Sequence, residues 1–358
     1  MTDMTTPAEP TEDTPFEPED DAFHVTSDDP YWVETTWFSF NVPERRMGGW
    51  LHAATAVHRR VTTWRVFVWD PRGAVPGELA YHRREEEVPF EEDLDLRHVR
   101  YPGGGFTVDV VRPTMDYRVT YDDGDRCSID LLHASAHPPH RFTPGAAPMM
   151  QNPHFDQLGH VTGRLVLGGD EILIDCWSVR DRTWGPRGGP HGQSRKPEHV
   201  RGEHTARIAG GPRWREVERE RGRGRIQYVF GHVDDRTGFL GFVRPQDGDA
   251  KGWAPVHVGY LLRDGRFERL DAARSRLRDW RDPATGWTAH LELELVDRTG
   301  RAMDVEGAAT SRISETGDTA HSLMRWEMDG EVGWGEDQDV WNPAHFRAMR
   351  DALQGVSG

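Results

Sequence analysis

Cysteine is almost missing. Cys127 and Cys176 are the only two, too few for a disulfide framework or a cysteine-rich zinc site, and they point to a reducing, cytosolic compartment. Lysine is equally scarce, with Lys196 and Lys251 alone among 44 basic residues. That leaves few candidates for a Schiff base, and no Gly-Lys-Ser/Thr run exists to cradle a nucleotide phosphate. No stretch approaches the roughly 18 apolar residues of a membrane helix, and the N-terminus lacks the basic-then-apolar order of a secretory signal. The net charge is −16, which excludes a nucleic-acid partner because phosphate binding needs clustered cations. Standard catalytic signatures are absent as well. There is no G-x-S-x-G elbow, no H-E-x-x-H and no dinucleotide fingerprint, Gly103-Gly104-Gly105 having the wrong spacing.

What is present describes a folded chain. Its 358 residues exceed the roughly 250–300 at which a single core stops growing, so two domains or one large one are expected. Glycine (38) and proline (24) are abundant, which means many turns and few long helices. Part of the acidity is local. Glu9, Glu12, Asp13, Glu17, Glu19, Asp20 and Asp21 all precede the first basic residue, Arg45. With Thr and Pro between them, residues 1–22 read as a disordered acidic tail.

Alternation with period 2 dominates the rest. Thr63 to Trp69 carries apolar groups on both faces, as in a strand covered on both sides. Tyr117 to Tyr121, the turn Asp122-Asp123-Gly124 and Cys127 to Leu132 form a hairpin pattern, because Gly supplies the positive φ that a tight turn demands. The pattern recurs around Gly168-Gly169-Asp170, Asp264-Gly265, Arg298-Thr299-Gly300 and Asp329-Gly330. Successive hairpins without intervening helices mean an all-β fold of antiparallel barrels or sandwiches. One helix is expected at the end, capped by Asn342, started by Pro343 and striped by Phe346, Met349 and Leu353; it would pack outside a barrel or over its mouth. Strand signals fill two blocks of similar size. The expected division is a first barrel over 23–190, a linker over 191–212 rich in Gly, Pro, His and Arg, and a second barrel with the helix over 213–358.

Few residues announce chemistry. His133, His137 and His140 are the densest histidine group, but no acidic ligand lies at a useful offset, so no metal is expected. The 14 tryptophans read mostly as core, yet so much indole suggests a wide apolar cavity with aromatic walls. In Ile172 to Arg187, strand parity puts Asp175, Trp177, Val179 and Asp181 on one face, mixing acid with indole as a ligand cavity would. Ile172, Ile174, Cys176, Ser178 and Arg180 share the other, a packing face. An Asp at the mouth of an apolar cavity is a proton donor near neutral pH, because desolvation raises its pKa. Alternatively, Arg180, Arg182 and Arg187 make Asp181 a salt-bridged corner residue.

Arg180-Asp181-Arg182-Thr183-Trp184-Gly185, following Gly163-Arg164-Leu165 and Asp175, resembles the R-D-x-[ST]-W-G motif of the carotenoid 1,2-hydratase-like, AttH-like family. Asp29 to Glu34, Trp37 to Phe40 and Gly333-Trp334-Gly335-Glu336 are similar to its largely uncharacterised bacterial branch. The resemblance implies two lipocalin-like barrels in tandem and hydration of isoprenoid double bonds or cyclisation of polyketide-derived chains, without a cofactor. In the hydratases a His, a Trp, a Tyr and an Asp are implicated. The Trp falls on Trp184 and the His on Arg182, which cannot shuttle a proton at neutral pH. The Tyr-x-Asp pair belongs on the next strand, where the chain offers Tyr228 followed by Phe230. Asp181 is then the surviving acid.

The expectation is a cofactor-independent lyase or isomerase/cyclase acting on a hydrophobic isoprenoid, steroid or polyketide-like molecule. Asp181, Trp184 and Arg182 carry the chemistry in this reading, and Trp177, Glu34, Tyr228, Trp334 and Glu336 contact the substrate. Glu34 or Glu336 serves as a second acid or as a partner for Arg182. The rivals are a non-catalytic carrier of a hydrophobic ligand and a protein-interaction module using the acidic tail.

Overall fold

The computed structural model describes residues 13–26, 28–143, 152–186, 225–245, 252–315, 317 and 319–355. Its strands are β1 (Trp32–Val42), β2 (Met47–Ala56), β3 (Val61–Trp69), β4 (Tyr81–Pro89), β5 (His98–Arg100), β6 (Thr107–Arg112), β7 (Asp116–Asp122), β8 (Cys127–Ser135), β9 (His140–Phe142), β10 (His154–Leu167) and β11 (Asp170–Pro186) in one sheet. The second sheet holds β12 (Arg225–His232), β13 (Gly238–Val243), β14 (Trp253–Arg263), β15 (Arg266–Arg269), β16 (Arg276–Arg281), β17 (Thr288–Val296), β18 (Ala302–Ile313), β19 (Thr319–Met328) and β20 (Glu331–Trp341), followed by helix α1 (Pro343–Leu353). Every pairing is antiparallel, and the fold is all-β as the hairpin pattern predicts.

The hairpins form where turn chemistry puts them. Gly168 and Gly169, Asp264 and Gly265, and Asp329 and Gly330 all have positive φ at both central positions, which a two-residue turn matching the strand twist requires. The first sheet runs β4-β3-β2-β1-β11-β10-β8-β7-β6-β5 and stays open, a half-barrel. The second closes through a β13–β14 pairing into a barrel of eight strands. The expected linker over 191–212 lies outside the described residues.

Three apolar clusters hold the molecule. One fills the first half and includes Phe38, Leu51, Trp64, Val66 and Ile174. A second fills the barrel and includes Val229, Val256, Leu291 and Trp326. The third joins the halves: Trp37, Trp50, Phe67, Trp69 and Val179 from the first sheet meet Tyr228, Phe230, Leu240, Tyr260 and Ile313 from the second. Parity explains the seam. On β3, Trp64, Val66 and Val68 turn into the first core while Phe67 and Trp69 turn into the seam, as expected of a strand covered on both sides. Polar contacts border it, with Arg65 and Arg84 both paired to Glu315 and Ser314 N–H donating to Ala74 C=O.

Two expectations are corrected. The wide indole-walled hollow is filled by the chain's own side chains: Trp64 and Trp326 are fully buried within the two cores. A cavity of about 480 Å³ opens elsewhere, between Arg72, Leu79, Tyr81, His82, Arg126 and Leu167, with no tryptophan in its wall. The acidic tail is not wholly free. Phe16 to His24 docks on the first half, and Asp21, at 4% exposure, accepts hydrogen bonds from Tyr117 Oη and Thr114 N, each at 2.6 Å. Buried Arg180 and Arg182 need acceptors, and this segment supplies them. The terminal helix forms as expected: α1 packs Phe346 against Trp287 (4.1 Å, stacked) and Trp341 where β20 ends, while Leu353 is exposed. Asn342 Oδ1 accepts from Ala344 N and His345 N, as a cap should.

Gly163 (φ 147°) and Gly259 (φ 155°) sit at close backbone approaches, since a Cβ there would lie 2.1 Å from Asp130 O and 2.0 Å from Leu240 O. Gly163→Ala or Gly259→Ala is expected to cost about 2–3 kcal/mol. Gly168→Ala, in open space at a turn, should cost about 1 kcal/mol. Urea unfolding of the three variants checks the contrast.

Candidate functional site

Strand β11 divides the predicted residues between two faces. Ile172, Ile174 and Cys176 point into the first core, and Arg180, Arg182 and Trp184 continue that side. Val179 and Asp181 point into the seam, so the parity reading holds for the strand's second half. Toward its start the same face meets solvent: Asp175 is exposed and bonded to His160 Nε2 (2.6 Å), and half-buried Trp177 stacks on His160. The structure therefore places Trp177 on the outside of the first sheet.

Asp181, Arg182 and Trp184 do not converge. Arg182 Nη2 donates to Glu34 Oε2 at 2.8 Å, both side chains almost fully buried, and its guanidinium also donates to Asp20 C=O and Ala22 C=O. Glu34 accepts from Trp32 Nε1 (3.0 Å) and His24 N (2.6 Å). Trp184 stacks on His24 at 3.9 Å and packs with Trp32 and Phe155. Glu34 is thus the partner of Arg182, one of the roles foreseen for it. The group anchors the N-terminal segment, because a buried carboxylate is tolerable only with its cation and donors in place.

Asp181 belongs to a different constellation. It lies across from Asp156 on β10, and Trp37 on β1 is its neighbour on the other side. Its carboxylate, about one-fifth exposed, stands 3.8 Å from His154 Nδ1. His154 Nε2 lies 2.9 Å from Asp156 Oδ2, and Nδ1 lies 2.8 Å from Thr183 Oγ1. Asp156 is fully buried, and Tyr228 Oη crosses the seam to donate to its Oδ1 at 2.8 Å. Imidazole, acid and phenol are thus joined by hydrogen bonds within the seam, and the carboxylate of Asp181 stands beside the imidazole at the half-open edge. Burial, then the charges of Asp156 and Asp181, push Tyr228 well above the ordinary tyrosine pKa, so its phenol stays a proton donor.

Glu336 lies farther along the same seam. It is buried and accepts from Trp50 Nε1, 3.0 Å from each carboxylate oxygen, and from Gln338 Nε2 (3.2 Å). Burial without a cation pushes it up to about 8. Trp334 sits half-buried on the same strand, opposite His232 and Arg325. Three of the eight predicted residues, Asp181, Tyr228 and Glu336, share the seam.

His154 and Asp156 escaped the sequence reading, although a signal existed. Counting outward from the two-residue turn at Gly168-Gly169 pairs Asp156 with Asp181 and His154 with Thr183, and β10 and β11 keep that register without a bulge. His154, Asp156 and Asp181 are also the one set among the described residues whose ligand-type atoms lie within 4.8 Å of one another. Both nitrogens of His154 already have oxygen partners, an arrangement suited to moving a proton. His133, His137 and His140 do not form such a set among the described residues.

A model of the family described as a domain of unknown function, DUF7064, matches residues 17–195, half of the chain. The chain belongs to that family. No curated protein matches. Among solved structures, this DUF7064 member is similar to an AttH-like protein from Nitrosomonas europaea, at 12% identity and a TM-score of 0.52 over 86% of this chain and 91% of that one. It is similar to CghA at 13% identity and a TM-score of 0.51, over 87% and 88%. A weaker likeness, TM-score 0.46 at 8% identity over 87% and 89%, links it to kievitone hydratase from Nectria haematococca. Identities this low establish the shared tandem lipocalin-like fold, which the family resemblance of the Arg180–Gly185 motif implies, and nothing finer.

Arg182→Ala is expected to cost about 3–5 kcal/mol, because it strands Glu34 as a buried charge. Asp181→Asn, at a partly exposed site, should stay within about 1 kcal/mol of wild type. Denaturant midpoints measured at neutral pH separate the anchoring cluster from the seam cluster.

Proposed function

We propose that this protein is a cofactor-independent acid–base enzyme acting on a mostly apolar, oxygen-bearing small molecule of isoprenoid, steroid or polyketide-like type. The reaction class is hydration, dehydration, isomerisation or cyclisation. One observation carries the reading: the hydrogen-bonded group His154–Asp156–Tyr228, with the partly exposed carboxylate of Asp181 3.8 Å from His154 Nδ1 and beside Trp37. Asp181 and His154 are the groups that give and take a proton at the substrate. Asp156 stabilises the imidazolium formed when His154 is protonated, as a buried carboxylate next to a ring N–H does. Tyr228 donates a hydrogen bond and holds Asp156 in place. The indole of Trp37 faces the charge that develops on an apolar skeleton. Access to the seam requires its aromatic walls to part. Arg182 and Trp184 act at a distance in this scheme, fixing the far face of β11.

A second reading is favoured by the same histidine. Because Asp156 and Thr183 satisfy both of its nitrogens, the network also suits a purely structural role in a non-catalytic ligand carrier. The docking of Phe16 to His24 takes part of the acidic segment away from the protein-interaction alternative.

Incubation of the purified protein with a panel of terpenoid and polyketide-like alkenes, followed by mass analysis, should reveal a product isomeric with its substrate or differing by one water. Asp181→Asn is expected to lower that turnover by about 100-fold or more while binding changes by less than about twofold. Unchanged turnover removes Asp181 from the chemistry, and binding without any product supports the carrier.

A further inference from the structure

Trp50 is the centre of an unusual corner of the seam. Its indole N–H is spent on Glu336, its ring lies 4.1 Å from that of His321, and the rings of Trp37 and Trp69 lie 5.2 and 6.2 Å away. All five side chains are more than nine-tenths buried. Yet Trp37 Nε1, Trp69 Nε1 and His321 Nδ1 have no hydrogen-bond partner. Two indole N–H groups and one imidazole nitrogen are left open around a single ring, and each unmet buried polar group costs about 1–3 kcal/mol.

The charges at this corner are specific. Glu336 is raised to about 8 by burial, against the hydrogen bonds from Trp50 and Gln338, so it carries a proton at neutral pH. Its neighbours across β12 and β19 are Phe230 and Leu323, neither of which titrates. His321 on β19 is lowered to about 3 by burial and then by Arg65, and is therefore a neutral ring. Arg65 on β3 is itself committed to Glu315 and His52. The corner thus offers a neutral acid, a neutral imidazole and two indole N–H groups, and no cation contributes to Glu336.

We propose that this corner is a binding subsite for the uncharged oxygen function of a ligand, a carbonyl or hydroxyl group held by Glu336, His321 and the indole N–H groups of Trp37 and Trp69. A carbonyl accepts from the acid and the indoles, and a hydroxyl also donates to His321 Nδ1. A carboxylate or phosphate is rejected, because it brings a charge into a buried place that has no counter-ion. The inference rests on the seam being where the ligand of the proposed enzyme enters. It adds a second recognition point on the far side of Trp37 from Asp181.

The test uses the full chain, acetophenone as an uncharged oxygen probe and benzoate as its anionic near-isostere. Indole N–H resonances are followed by NMR and assigned with Trp37→Phe and Trp50→Phe. Acetophenone is expected to shift the Trp37 and Trp50 signals saturably, with benzoate at least about tenfold weaker. Acetophenone affinity should fall by about tenfold per pH unit above the Glu336 midpoint in wild type. In Glu336→Gln, which keeps a neutral donor, it should not change with pH. The subsite is overturned if benzoate binds as well as acetophenone, if Glu336→Gln keeps the wild-type pH dependence, or if the indole signals do not respond, as when water alone occupies the corner. Asp181→Asn separates the two readings: saturable acetophenone binding in a variant whose turnover equals wild type leaves the subsite standing and removes the acid relay.

Discussion

The seam between the two sheets is the contact on which the rest depends. Strands β1, β2, β3 and β11 already bury one face in the first core. Their other faces carry Trp37, Trp50, Phe67, Trp69 and Val179, which the second barrel covers. At roughly 25 cal/mol per Å² of apolar surface, four aromatic side chains of this size bury enough to hold the two sheets together without a charged clasp. The clasp that does exist, Arg65 and Arg84 on Glu315, sits at the rim.

Closing that seam sets the chemistry of whatever it encloses. Buried acids in this protein fall into two kinds. Glu34 has Arg182, and Asp339 has Arg225 and Arg281; these ion pairs fasten strands and segments together. Glu336 and Asp156 have indole, amide, imidazole and phenol partners instead. For Glu336, which burial pushes up to about 8, a proton rather than an arginine compensates the burial, and a proton-exchanging group is what an acid–base site needs. The same docking that buries the aromatic wall therefore makes Glu336 responsive near neutral pH.

The two kinds also explain why the residues of the Arg180–Gly185 motif separate. Consecutive strand positions face opposite ways, so Asp181 enters the seam while Arg182 and Trp184 hold the N-terminal segment behind it. Phe16 to His24 could not be read as ordered from its composition, because its partners Tyr117, Arg180 and Arg182 lie about 90 to 160 residues away. The tryptophans misled for a related reason. Indole fills a core as readily as it lines a cavity, and only packing tells the two apart.

Local chemistry was enough for the antiparallel hairpins, their turns, the terminal helix and the two-sided burial of β3, since each is fixed by neighbours a few residues apart. Asp181 and Glu336, read from the residues, and Tyr228, pointed to by the family resemblance, all face the seam, and the register of the β10–β11 hairpin contained His154 and Asp156 for anyone counting from its turn. Which side chains share a site was decided by tertiary structure alone. The pairing of Tyr228 with Asp156, of Trp50 with Glu336 and of Arg182 with Glu34 joins elements from distant parts of the chain. Such contacts exist only once the sheets have curved and the halves have docked, because periodicity along a strand says which face a residue takes and nothing of what that face meets.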